Sequence, residues 1–158
     1  NIGRSICEDD KLEIAIEILK FGKDKIILPE DVLVVDDIKN PTYILEKSVE
    51  EMEDNDIGVD IGSKTAASFG EILKSSKTTV LNGPMGIFED ERYSMGTQKV
   101  IKSMALSDGI SIVGGGDSAS AVRSFGFEGE MEHISTGGGA SLELLSGNEL
   151  PGFKALEE

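Results

Sequence analysis

The chain has 158 residues, enough for one domain with a sizeable core. Its net charge of −15 leaves no basic surface to neutralise phosphates, which argues against nucleic acid and anionic membranes as partners. A lone cysteine, Cys7, rules out an internal disulfide framework and fits a cytoplasmic compartment, and no apolar run approaches the roughly 20 residues of a bilayer span.

In chain order, Leu12, Ala15, Ile16 and Leu19 recur at the spacing of one helical face, with Asp9 and Asp10 at its start and Gly22 to end it. Residues 25–29 and 32–36 follow as two short apolar strands separated by a Pro-Glu-Asp turn. The stretch 37–60 is rich in acids, among them Glu46, Glu50, Glu51, Glu53, Asp54 and Asp56. It reads as a solvated connection with a helical turn; a wet acidic face is favoured there over a carboxylate metal cluster. Gly62 and Ser63 then open a helix that turns Ala66, Phe69, Gly70 and Leu73 inward. Thr78 to Leu81 is a β-branched strand that runs into Asn82-Gly83-Pro84-Met85-Gly86, a rigid turn. Thr97, Val100, Ile101 and Met104 line the next helix.

The most informative stretch is 110–126. Ile110 to Val113 reads as a buried strand, Gly114, Gly115 and Gly116 as a turn, and Ala119, Val122 and Phe125 as one face of a helix. Glycines let backbone approach a ligand closely, and the free N–H groups of a new helix favour an anion. Asp117 at such a mouth calls for a cation between it and the anion, which suggests a phosphate arriving with Mg²⁺. A plain turn with Asp117 as helix cap is the competing reading of these residues alone. Gly114, Gly116 and Ala119 also match a loose dinucleotide fingerprint. That reading fails because the following segment, His133-Ile134-Ser135, leads to Thr136 and three more glycines rather than to a ribose-binding acid.

Alternating strands and helices predict an α/β fold with a mostly parallel sheet and helices on its faces. Three glycine-rich turns end strands, at 82–86, 114–117 and 137–139. In such a sheet they share one edge, so the expected site is a cleft floored by backbone amides, with Asp117 to hold a metal.

Three segments, Val80 to Glu89, Val113 to Ser118 and His133 to Leu145, resemble the signature segments of phosphoglycerate kinase, in order and at matching spacing. The resemblance implies that residues 1–158 are the C-terminal, nucleotide-binding domain of such an enzyme, a Rossmann-like three-layer αβα fold incomplete at its N-terminal side. It implies an enzyme of glycolysis, a cytoplasmic monomer at full length. That enzyme moves a phosphoryl group reversibly between 1,3-bisphosphoglycerate and ADP, giving 3-phosphoglycerate and ATP. The carboxylate substrate would be held by a missing N-terminal half. Asp117 would hold Mg²⁺, and Gly115, Gly116 and Ser118 would face the nucleotide phosphates. Asn82 would lie near them, Gly62 and Pro84 would flank the adenine, and Glu89 would accept from the ribose. Gly137, Gly138 and Gly139 would present amides to the group in transfer, so that Gly116, Gly138 and Gly139 carry the chemistry. Ser63 and Leu81 depart from residues common in the family, where proline and tryptophan stand. The piece alone is expected to bind Mg-ADP without turnover. Alternatives of another class are a stand-alone nucleotide-binding module and an inactive fragment with an open sheet edge.

Overall fold

The computed structural model describes residues 1–135 and 137–157. It divides into two compact units, Asn1–Thr65 and Ala66–Glu158.

In the first unit, β1 (Asp31–Val35) is the central strand, flanked by β2 (Ile44–Ser48) and β3 (Ile57–Ile61), both antiparallel to it. The strand expected at 25–29 does not form. Residues 23–25 make a 3-10 turn instead, and both edges of β1 are already paired. The two partners come from the stretch read as a solvated connection. Its acids misled because the decisive one is buried. Asp56 is fully buried and accepts hydrogen bonds from Tyr43 Oη at 2.7 Å, Lys47 Nζ at 2.8 Å and the Glu53 amide at 2.8 Å. Burial opposes its charge, but the Glu53 amide, Lys47 and Tyr43 outweigh burial and bring its pKa down to about 2. A helix of the expected register, α1 (Leu12–Gly22), is present, yet none of its residues is buried. Ile14, Ile18 and Phe21 interrupt the polar side and are exposed along with Leu12, Ile16 and Leu19, so periodicity predicted the helix but not its burial.

The start of α2 (Ser63–Ser75) is held by a carboxylate from β1. Asp31 Oδ2 accepts from the Lys64 amide at 3.0 Å, and Oδ1 accepts from the Thr65 amide at 2.8 Å and the Thr65 hydroxyl at 2.6 Å. The same hydroxyl accepts from the Glu30 and Asp31 amides. Two of the helix's unpaired amides are thereby satisfied by one side chain distant in sequence. Burial works against the charge on Asp31, but the Thr65 hydroxyl and amide and the Lys64 amide hold its carboxyl below the usual range.

The second unit is built on a parallel sheet, β4 (Thr78–Asn82), β5 (Ile110–Gly114) and β6 (His133–Ser135), with β5 central. This is the parallel sheet that alternation predicts, at three strands; the other three strands make the antiparallel sheet instead. Helices α3 (Met95–Ala105) and α4 (Gly116–Ser124) connect these strands, and α5 (Gly138–Leu145) follows β6. Leu81 and Val113 pair across the sheet and are buried with Val100, Ile101 and Met104 of α3 and Ala119 and Val122 of α4. The helix positions among these are inward ones read from the sequence, whereas Ile110, expected in a buried strand, is exposed. Among the described residues no helix is long and apolar enough to cross a membrane.

The Asp56 network yields a signed pH dependence. Its pKa is depressed on folding, so its contribution is present above the ordinary carboxylate value of about 4 and is lost as pH falls toward about 2. Acid titrations of stability, followed by circular dichroism, should show this loss in the wild-type chain. Asp56→Ala should flatten the slope in that window and cost about 3 to 5 kcal/mol at neutral pH, the usual result of breaking a buried ion pair.

Candidate functional site

The register of the parallel sheet assembles the site. Asn82 lies beside Gly114, and Gly114 beside Ser135, so the C-terminal ends of β4, β5 and β6 form one row. The three glycine-rich turns leave the sheet from this row. Gly115 donates its N–H to the Ser135 carbonyl at 3.0 Å, which ties the second turn to the third. A methyl added at Gly138 would lie 2.7 Å from Gly115 Cα, so the two backbones touch where no side chain fits. On the other flank, Asn82 Oδ1 would be 3.6 Å from a Cβ at Gly115. Gly115 itself has φ of +96°, the left-handed backbone that redirects the chain from β5 into α4.

The amides at this edge are of two kinds. In the first turn every backbone donor from Gly83 to Gly86 is already used. Gly83 donates to Ser118 Oγ at 2.6 Å, Pro84 has no N–H, and Met85 and Gly86 donate to Thr97 Oγ1 at 3.1 and 3.2 Å. The expected floor of amides is therefore absent on the β4 side. What that turn offers a ligand is the Asn82 side chain and the Pro84 ring. The second and third turns differ, because α4 opens at Gly116 and α5 at Gly138, and the first N–H groups of a helix have no intrahelical partner. The two helix starts meet through the Gly115–Gly138 contact and concentrate positive potential at the middle of the row.

Asp117 stands in the first turn of α4, exposed, and its side chain makes no hydrogen bond or ion pair among the described residues. Ser118 is 1% exposed; its hydroxyl accepts from the Gly83 amide, and its own amide lies in the first turn of α4. Glu89 is exposed, between buried Phe88 and Asp90, which caps the 3-10 turn Glu91–Tyr93 and is gripped by Arg92. Gly62 belongs to the other unit. The space a side chain would take there is filled by the Asp31 carboxyl, a packing reason for the glycine. Gly137 donates to Ser135 Oγ, and Thr136 lies outside the described residues.

Thr97 is the residue that sequence reasoning missed. Its helical spacing marks it as a packing position, and it is fully buried, but its hydroxyl binds two amides of the first turn. The available signal was a hydroxyl on an otherwise apolar face. Among the described residues no group of three or more His, Cys, Asp or Glu is placed to hold a metal. A cavity of about 290 Å³ lies away from this edge, between α2 and α3, lined by Gly70, Lys74, Lys99, Lys102 and Ser103.

The contact between the turns predicts opposite outcomes for neighbouring glycines. Gly138→Ala drives a methyl into backbone and should cost about 1 to 3 kcal/mol, the range for overpacking. Gly139→Ala meets nothing within 4 Å and should stabilise α5 by about 0.5 to 1 kcal/mol. Denaturant melts of the two variants check the difference in sign.

Similarity to known proteins covers nearly the whole chain. The family model for phosphoglycerate kinase matches residues 1–148. A phosphoglycerate kinase of Dictyoglomus turgidum is 47% identical over 99% of this chain and 41% of its own length. One of Clostridium botulinum is 46% identical over 99% of this chain and 40% of its own length. The solved structure of phosphoglycerate kinase from Coxiella burnetii superimposes with a TM-score of 0.91 at 36% identity, covering 98% of this chain and 41% of that one. The enzyme from Pyrococcus horikoshii gives 0.81 at 38% identity, covering 94% and 36%. The chain thus spans about two fifths of the length of the curated relatives it matches. It belongs to the phosphoglycerate kinase family.

Proposed function

We propose that this chain is the nucleotide-binding part, from the C-terminal half, of a phosphoglycerate kinase. In the full-length enzyme, working in the cytoplasm, a phosphoryl group passes reversibly between 1,3-bisphosphoglycerate and ADP. The observation that carries this reading is the row Asn82–Gly114–Ser135, from which two glycine-opened helices start in contact with each other. Such an edge binds anions through backbone, without basic side chains. None of the three turns contains a lysine or arginine.

Gly115 and Gly116 lie where the phosphates would sit. Asn82 borders them, Pro84 offers an apolar face to the base, and Glu89 is free to accept from ribose hydroxyls. The amides at Gly138 and Gly139 would stabilise charge on the oxygens of the group in transfer, already oriented before the reaction. Asp117 fits a Mg²⁺ that arrives with the nucleotide. It is one exposed carboxylate beside an anion site, and Mg²⁺ is commonly held by one or two carboxylates plus phosphate oxygens. When bound, the ion would neutralise phosphate charge.

Transfer also needs an acceptor site and cations, and these turns supply neither. Phosphoryl transfer depends on positioning both partners, so this chain alone should bind Mg-ADP and not turn over. Joined to the N-terminal half of a relative, it should regain activity with ATP and 3-phosphoglycerate in a coupled assay. Continued inertness of a well-folded joined chain would contradict the enzymatic reading.

Calorimetry gives the sharper test. Asp117→Asn should weaken Mg-ADP binding about tenfold, equivalent to about 1.4 kcal/mol, while metal-free ADP binds within about twofold of wild type. Equal weakening of both would show that the carboxylate does not act through a metal.

A further inference from the structure

We infer that Thr97 is a positioning residue for the nucleotide's base, and that it acts through the turn it holds; this rests on the nucleotide reading above. The turn 83–86 contains three amide donors, and all three end on buried hydroxyls from two different helices. Thr97 of α3, fully buried, takes Met85 and Gly86. Ser118 of α4, almost as buried, takes Gly83. Pro84 therefore stands between two fixed points, with its own φ restricted by the ring. Gly83 has φ of +95°, a backbone geometry accessible to glycine, and nothing lies within 4 Å of the place its side chain would occupy. Packing does not hold the turn at that point. Hydrogen bonds do.

The arrangement separates two functions. The phosphate side of the site is made of helix starts at Gly116 and Gly138, which do not depend on Thr97. The base side is a turn with no amide left for a ligand, so it has no backbone donor to offer the base and contributes shape through Pro84. Shape is useful only if the turn stays in place, and preorganisation of this kind raises affinity by lowering the ordering cost of binding. Removing the Thr97 hydroxyl leaves two half-buried amides without that partner and frees the downstream half of the turn.

The test uses the full chain with Thr97→Val, which keeps the volume and removes the acceptor, and Thr97→Ser, which keeps the acceptor. Thr97→Cys, with a weaker acceptor, serves if the valine variant does not fold. Hydrogen exchange at Met85 and Gly86 should quicken at least about tenfold in Thr97→Val, and Mg-ADP affinity should fall about tenfold. Affinity for Mg-pyrophosphate, which has no base, should stay within about twofold, and Thr97→Ser should restore both readouts. Equal losses for ADP and pyrophosphate would reduce Thr97 to a general structural role and overturn the inference. So would faster exchange with unchanged ADP affinity, or unchanged exchange. A wild-type chain that binds no Mg-ADP would instead overturn the nucleotide reading and this role with it. Its exchange pattern would still decide whether the hydroxyl holds the turn.

Discussion

Gly138 rests against the backbone of Gly115, and the site depends on that approach. Two helix starts can share one anion only if nothing separates them, and any Cβ at Gly138 would do so. The approach is in turn a consequence of register. Parallel pairing sets Gly114 beside Ser135, and the Gly115 N–H then reaches the Ser135 carbonyl, which brings the chain after β6 to the chain after β5. Each step is backbone chemistry. In the proposed reading, that is how a chain with a net charge of −15 would offer a phosphate an attractive surface.

Buried hydroxyls and carboxylates perform the supporting work in both units. Thr97 and Ser118 hold the turn after β4, Asp31 and Thr65 hold the start of α2, and Asp56 gathers Tyr43, Lys47 and the Glu53 amide. In each case a buried polar side chain has hydrogen-bond partners, the condition under which burial of polarity fixes geometry instead of destabilising the fold. No buried side-chain nitrogen or oxygen among the described residues lacks a partner.

These supports were the part the sequence concealed. The parallel sheet, its inward residues and the three turns at one edge were legible, because apolar periodicity and glycine clusters are local signals. Asp31 and Gly62 were not, since their relation joins positions distant in the chain: the bareness of Gly62 makes room for a carboxyl. Asp56 was hidden among exposed acids of the same type. The support that the Ser118 hydroxyl gives the Gly83 amide was not legible in its motif. Thr97 sat on an apolar stripe and passed for packing. Composition cannot distinguish a solvated carboxylate from a buried, triply bonded one; only the partners can.

The central claim is that three turns, far apart in the chain, act on one ligand. Amide chemical shifts recorded during a titration of the chain with Mg-ADP test it most directly. The account predicts saturable shifts that share one affinity at Gly83 to Gly86, Gly115 to Ser118 and Gly138 to Gly139, with Lys99 and Lys102 beside the α2–α3 cavity unmoved. Shifts confined to a single turn, or centred on that cavity, would contradict it.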